Sequence, residues 1–160
     1  MVDCANCRHI VEAEEGRSPW AVARLRGGYV LLNSCQYYPG AVFFVAHRCV
    51  AELHQLPTDE RQLHLIEMTE VAAAVEHEFG ARKMNYEALG NLVPHLHWWL
   101  TPRPHDDRRP LGPIWEDPDF LRSMAEGTAQ PAPDDAAVLR RRVLNALVQR
   151  NVEVETALVT

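Results

Sequence analysis

Two histidines one residue apart, His95 and His97, stand in the run Asn91-Leu92-Val93-Pro94-His95-Leu96-His97-Trp98-Trp99-Leu100-Thr101-Pro102-Arg103. A β-strand turns successive side chains to opposite faces, so a strand over residues 93–101 puts His95, His97 and Trp99 on one face and Leu96, Trp98 and Leu100 on the other. Imidazole is both a metal ligand and, near neutral pH, a competent nucleophile toward phosphorus, provided an acceptor on its second ring nitrogen fixes the tautomer. A second set of reactive side chains opens the chain: Cys4-Ala5-Asn6-Cys7, with further cysteines at 35 and 49. A Cys-x-x-Cys pair is half of a metal site or a redox pair. Its place at the extreme N-terminus, without a βαβ pattern around it, argues against a thioredoxin-like role. Cys35 reads as an ordinary semi-buried thiol.

The elements that must position these residues follow from pattern. Apolar positions flanking Gly27-Gly28 suggest a hairpin with strands over 20–26 and 28–34. Tyr38-Pro39-Gly40 is a turn, and residues 41–46 form an apolar run of buried-strand length. Thr58 reads as the N-cap of a helix with Asp59 and Glu60 in its first turn. Leu65, Met68, Ala72, Val75 and Phe79 follow at helical spacing, and Gly80 is the stop. This spacing places His64 and His77 off the apolar stripe, facing solvent. Residues 83–86 form another short strand. Seven of the eleven prolines fall within residues 102–133, which reads as an extended irregular loop. Pro133-Asp134-Asp135 opens a last helix running to about Arg150. Hairpin-linked strands, then a long helix, then a further strand make an α+β fold with an antiparallel sheet.

At 160 residues, 47% of them hydrophobic, the chain has the size of one domain that buries a core unaided. A formal charge of −6 leaves no basic footprint for polymeric nucleic acid or an anionic membrane. No apolar run spans a bilayer, and the start of the chain has no signal-peptide core, so a cytoplasmic protein is expected.

His-x-His-x-Trp followed by Pro102-Arg103 resembles the signature of the histidine triad (HIT) superfamily of nucleotide hydrolases and transferases, in which three histidines alternate with apolar residues. Here Trp99 stands where the third histidine would be. The resemblance takes in Asn33, Asn91, Tyr37-Tyr38-Pro39-Gly40, Leu53-His54-Gln55-Leu56, and Asp106-Asp107-Arg108-Arg109-Pro110 ahead of Pro113-Ile114-Trp115. It covers residues 1–116 as a HIT-like domain with an N-terminal zinc-binding segment. Residues 117–160 are expected to be a Pro-rich loop and a C-terminal helix packed on that domain. The family implies a five-stranded antiparallel sheet with one long packed helix, and a symmetric homodimer.

By motif match His97 is the nucleophile that forms a covalent nucleotidyl intermediate, on a dinucleoside polyphosphate or a nucleoside phosphoramidate. The family's third histidine donates to the phosphate or leaving group. Trp99 offers one indole N–H and no acceptor, so it can bind substrate or stack on a base but cannot shuttle a proton. The alternative is a nucleotide-binding relative with weak or lost catalysis. Asn91 matches a phosphate-contacting position and Asn33 a ribose-contacting one. Many bacterial relatives close a structural zinc site with a histidine after the third strand and the first triad histidine. The match puts Cys49 at the former position, with His47 as its rival, so Cys4, Cys7, Cys49 and His95 would hold zinc.

Overall fold

The computed structural model describes residues 4–109 and 111–159; Pro110, Thr160 and the three residues before Cys4 lie outside it. Helix α1 (Ala5–Glu14) leads into strands β1 (Ala21–Arg24), β2 (Gly28–Leu32) and β3 (Val42–Ala46). Helix α2 (Thr58–Phe79) follows, then β4 (Lys83–Glu87), β5 (His97–Arg103), α3 (Pro118–Glu126), α4 (Pro133–Gln149) and β6 (Thr156–Ala157). The strands form one sheet in the order β4-β5-β3-β2-β1-β6, with every pairing antiparallel. The expected α+β architecture is present, with a sixth strand where five were expected. The two-residue β6, which follows α4, pairs with β1 at the edge of the sheet.

Alternation decides what each face carries. Val30, Leu32, Val42, Phe44 and Leu100 point to one side and pack with Met68, Val71, Ala72 and Val75 of α2 and Val143, Ala146 and Leu147 of α4. Each fully buried side chain of this kind contributes about 1.5–3 kcal/mol. Tyr29, Leu31 and Val45 point to the other side, where Ile10 and Ala13 of α1 cover them. Phe43, His97 and Trp99 share that second face, so the candidate chemistry lies opposite the long helix.

Helix α2 ends where the sequence stops it: Gly80 takes a left-handed φ of 59°. Its start differs, because Pro57 occupies the N-cap position and the Thr58 side chain does not cap. Gly40 also sits in the left-handed region at φ 90°, against the ring of Phe79, where a Cβ would clash. His64 corrects a second expectation. It is 1% exposed, its Nδ1–H donates to the Gly27 carbonyl at 2.8 Å, and its Nε2 accepts from the Trp98 indole at 3.1 Å. Glu67, one turn on, accepts from the Gly27 N–H at 2.7 Å. The two side chains pin the β1–β2 hairpin to α2. Among the described residues no helix is long and apolar enough to cross a membrane.

The proline-rich segment is more ordered than its composition suggests. Asp117 caps α3 by accepting from the Asp119 and Phe120 N–H groups, and Pro118 opens the helix. Ahead of it, buried Arg103 gathers the 104–113 loop. It pairs with Asp107 at 2.6 Å and donates to Asn85 Oδ1, the Gly112 carbonyl and the Arg109 carbonyl. Tyr38 lies beneath the guanidinium, 5.0 Å from its centre, and donates to Asp117 Oδ2 at 3.1 Å.

Candidate functional site

The β5 ladder begins at His97, two residues past His95, because Pro94 interrupts it. Proline has no N–H to pair, and the His95 N–H turns back to the Val93 carbonyl at 2.8 Å. Leu96 then bonds both the Ala46 N–H and the Val50 carbonyl, tying this turn to the loop that leaves β3. The consequence is local: His95 and Cys49, 46 positions apart in sequence, arrive at the same place.

There they meet the start of α1. The ligand atoms of Cys4, Cys7, Cys49 and His95 all lie within 4.8 Å of one another. Cys4 Sγ is 3.4 Å and Cys7 Sγ 3.5 Å from His95 Nδ1. A tetrahedral zinc with its usual Zn–S and Zn–N bond lengths needs a sulfur-to-nitrogen separation of about 3.6 Å. His95 Nε2 lies 2.8 Å from the Ala46 carbonyl, which can only accept, so Nε2 carries the proton and Nδ1 aims its lone pair at the thiols.

Burial holds the imidazole below its ordinary pKa, with His97 adding to the fall against the pull of the Ala46 carbonyl. Burial also pushes the Cys7 thiol up, to about 12, with the neighbouring Cys49 and Cys4 adding to the rise. Burial raises Cys4 too, but hydrogen bonds from the Cys7 N–H and from the Cys7 and Cys49 thiols outweigh it and leave that thiol below its ordinary value. Three sulfurs with one imidazole are a donor set that suits zinc, whose binding would displace the thiol protons. His47, the rival third ligand, is directed elsewhere: its Nε2 bonds the Leu25 carbonyl at 2.9 Å and its ring meets the edge of Tyr29.

His97 is oriented by the same turn. Its Nδ1 lies 2.7 Å from the His95 carbonyl, which again can only accept, so Nδ1 is protonated and Nε2 keeps its lone pair. The side chain of His95 joins the cysteines while its backbone fixes the tautomer of His97. Phe43, opposite Trp99 in the ladder, borders the imidazole with ring centres 6.0 Å apart.

Trp99 packs edge-on against Phe43 at 4.8 Å and against Trp115 at 5.3 Å, joining a cluster with Tyr38, Ile114 and Phe120. Beside it opens a cavity of about 270 Å³, whose walls include Asn33, Cys35, Phe43, Trp99, Ser123 and Met124. Asn33 is buried, and its Oδ1 accepts from the Cys35 N–H at 2.9 Å, shaping the wall. Asn91 is exposed in the connection ahead of β5. The structure therefore brings Asn33 and Trp99 to one cavity and leaves Asn91 at the surface.

Three features of the site have only faint sequence signals. Glu87 stands opposite Trp99 across the β4–β5 pair, and its Oε2 accepts from the Trp115 indole at 3.0 Å. Only register shows this. Helix α3 supplies Ser123 and Met124, and its Asp-Pro start is a readable capping signature. Helix α1 opens at the Cys-x-x-Cys itself, with Cys4 as N-cap accepting from the Cys7 N–H at 3.5 Å.

Comparison with known proteins agrees with this fold. The model of the HIT domain family matches residues 26–106. A histidine triad protein of Marinobacter aquaeolei VT8 is 27% identical, with a TM-score of 0.66 over 81% of this chain and 88% of its own. One from Sinorhizobium meliloti 1021 is 25% identical, with a TM-score of 0.67 over 80% and 89%. A zinc-bound histidine triad family protein of Mycobacterium smegmatis, 17% identical, shares the fold with a TM-score of 0.63 over 93% and 96%. No curated protein matches the chain in sequence.

Proposed function

This chain belongs to the HIT domain family, and from that premise we propose that it is a nucleotide phosphohydrolase or nucleotidyl transferase acting through a covalent His97-nucleotide intermediate. The observation that carries the reading is the state of His97: Nδ1–H is held by the His95 carbonyl, and Nε2 presents a lone pair on the sheet face that bears the Asn33–Trp99 cavity. The substrate is a nucleoside phosphoramidate or a dinucleoside polyphosphate. Nε2 attacks the α-phosphorus in line, the leaving group departs, and water or a second acceptor displaces His97. Asn33 and Trp99 bind the nucleoside part from the cavity wall, and Asn91 reaches the phosphate from its exposed connection.

Zinc is the metal that Cys4, Cys7, Cys49 and His95 would hold, and its contribution is structural. A closed site of four protein ligands leaves no open position for substrate. It fixes His95, and His95 fixes His97. The protein acts as a cytoplasmic homodimer.

Turnover tests this reading. Adenosine 5′-phosphoramidate and diadenosine tetraphosphate are offered at neutral pH, and AMP release is expected from at least one. His97→Ala reduces the rate by about 10³-fold or more, since the covalent route is lost. Nucleotide binding without turnover on either substrate contradicts it.

One observation favours a second reading, a nucleotide-binding protein with weak catalysis: Trp99, at the third histidine's place, packs edge-on against Phe43 and Trp115. On that reading Trp99→His raises the hydrolysis rate at least tenfold. Equal rates in the variant and the parent remove it.

A further inference from the structure

Breaking a bond from phosphorus to a basic nitrogen or oxygen places negative charge on an atom that has to be protonated as it leaves. Trp99 cannot supply that proton or take one back. The register of β4 with β5 sets a carboxyl beside it. Glu87 is the direct antiparallel partner of Trp99, and directly opposed residues share a face, so Glu87 stands on the face of His97. Diagonal neighbours across an antiparallel pair typically stand about 7–8 Å apart, within reach of long side chains, so Glu87 and His97 can approach one substrate from the same face.

The carboxyl is held rather than free. Trp115 Nε1 donates to Oε2 at 3.0 Å, which leaves Oε1 for a substrate atom. Burial pushes this carboxyl above its ordinary value, against the pull of the Trp115 N–H and the Arg103 guanidinium. Arg103 is the charged neighbour on β5, and it is committed to Asp107. The 114–116 turn presents the Trp115 indole, and Glu116 on that turn is exposed. Two other buried or half-buried carboxylates of this region have different work: Asp107 pairs with Arg103, and Asp117 holds Tyr38 and the start of α3.

We propose that Glu87 is the proton donor and acceptor of the reaction, taking the part that the third triad histidine plays in relatives; this rests on the His97 reading above. As His97 Nε2 bonds to phosphorus, the bond from phosphorus to the leaving atom breaks and the Glu87 proton passes to that atom. The Glu87 carboxylate then accepts a proton from the water that attacks phosphorus, the bond from phosphorus to Nε2 breaks, and both residues return to their starting states.

The test compares two substrates sharing one nucleotidyl group: adenosine 5′-phosphoramidate, whose leaving group needs a proton, and the p-nitrophenyl ester of AMP, whose phenolate leaves without one. Glutamine still accepts from Trp115, so Glu87→Gln preserves that contact. The variant is expected to lose about 10²–10⁴-fold in kcat on the phosphoramidate. It should keep a rapid stoichiometric burst of p-nitrophenolate and show a slowed second phase. The alkaline limb of the parent's kcat/KM profile should also disappear. Trp115→Phe, which removes the N–H but not the carboxyl, should shift that limb to higher pH rather than abolish it. Equal rates for parent and Glu87→Gln on the phosphoramidate, or equal slowing of both first steps, overturn the role of Glu87 and leave His97 as nucleophile. No burst and no turnover from the parent overturn both.

Discussion

His95 and His97 are two residues apart and chemically alike, yet a single backbone turn gives them different work. Each has one ring nitrogen committed to a carbonyl oxygen: His95 Nε2 to Ala46, and His97 Nδ1 to His95. The commitment decides which nitrogen keeps its lone pair: Nδ1 in His95, where it faces sulfur, and Nε2 in His97, the nitrogen to which we assign the attack on phosphorus. This division was partly legible in sequence. The Cys-x-x-Cys and the histidine spacing identify the participants, and Pro94 marks the break that separates them. The sequence does not show which nitrogen each ring uses, because that depends on carbonyls brought in from β3 and from the turn. Trp99 belongs to the same scale. Its position is plain in the sequence, but its packing against Phe43 and Trp115 is a cross-strand and cross-loop event that no local pattern announces. In Trp99→His a smaller imidazole leaves a space beside Phe43 and Trp115, and thermal stability falls whichever way the rate moves; an unchanged Tm contradicts that packing.

At the scale of elements, α2, the hairpin and the strands up to β5 were readable from periodicity, within two or three residues at most ends. The histidine strand is the exception, starting at His97 rather than at residue 93. Exposure inferred from the helical stripe holds for His77, which is exposed, and not for His64. His64 lies off the expected apolar stripe, yet it is buried, because the Gly27 turn and the Trp98 indole supply partners for both of its nitrogens. Burial holds its imidazole below the ordinary histidine value. The unfolded chain thus takes up a proton near pH 6.5 while the folded one resists, so stability is complete above that pH and declines as pH falls through it. The contribution of one such group is at most about 1.4 kcal/mol for each unit of pH. Urea midpoints measured at pH 7.5, 6.5 and 5.5 should fall for the parent and fall less for His64→Gln, which keeps a donor and an acceptor at the site. Parallel profiles for the two proteins contradict a buried neutral His64. The proline-rich segment misled in the opposite direction. Prolines ended regular structure locally, but Asp117-Pro118 is itself a helix start, and buried Arg103 draws the preceding loop into order.

Across the whole molecule the sheet separates two tasks. One face, packed on α2 and α4, supplies the main core, and the other carries α1, the Cys4–Cys7–Cys49–His95 cluster, His97 and the cavity. Helix α1 reaches the cluster only through Cys4 and Cys7, so a bound metal ties the start of the chain to the turn that orients His97. A ligand present at about 1,000 times its Kd stabilises by about 4.1 kcal/mol, and at about 2–4 °C per kcal/mol the Tm should drop by roughly 8–16 °C when zinc is chelated. Metal analysis of the untreated protein should give about one zinc per chain, a ratio that Cys49→Ser lowers. Unchanged stability after complete metal removal contradicts a structural site. The central claim is that His97 becomes covalently nucleotidylated, and intact-mass spectrometry at neutral pH tests it most directly, because phosphoramidate bonds to histidine do not survive acid. On mixing with adenosine 5′-phosphoramidate the parent is predicted to gain the mass of one adenylyl group, in an adduct that forms and decays at the rate of turnover and is absent from His97→Ala. An adduct of equal yield in His97→Ala, or turnover by the parent with no adduct at any time point, would contradict it.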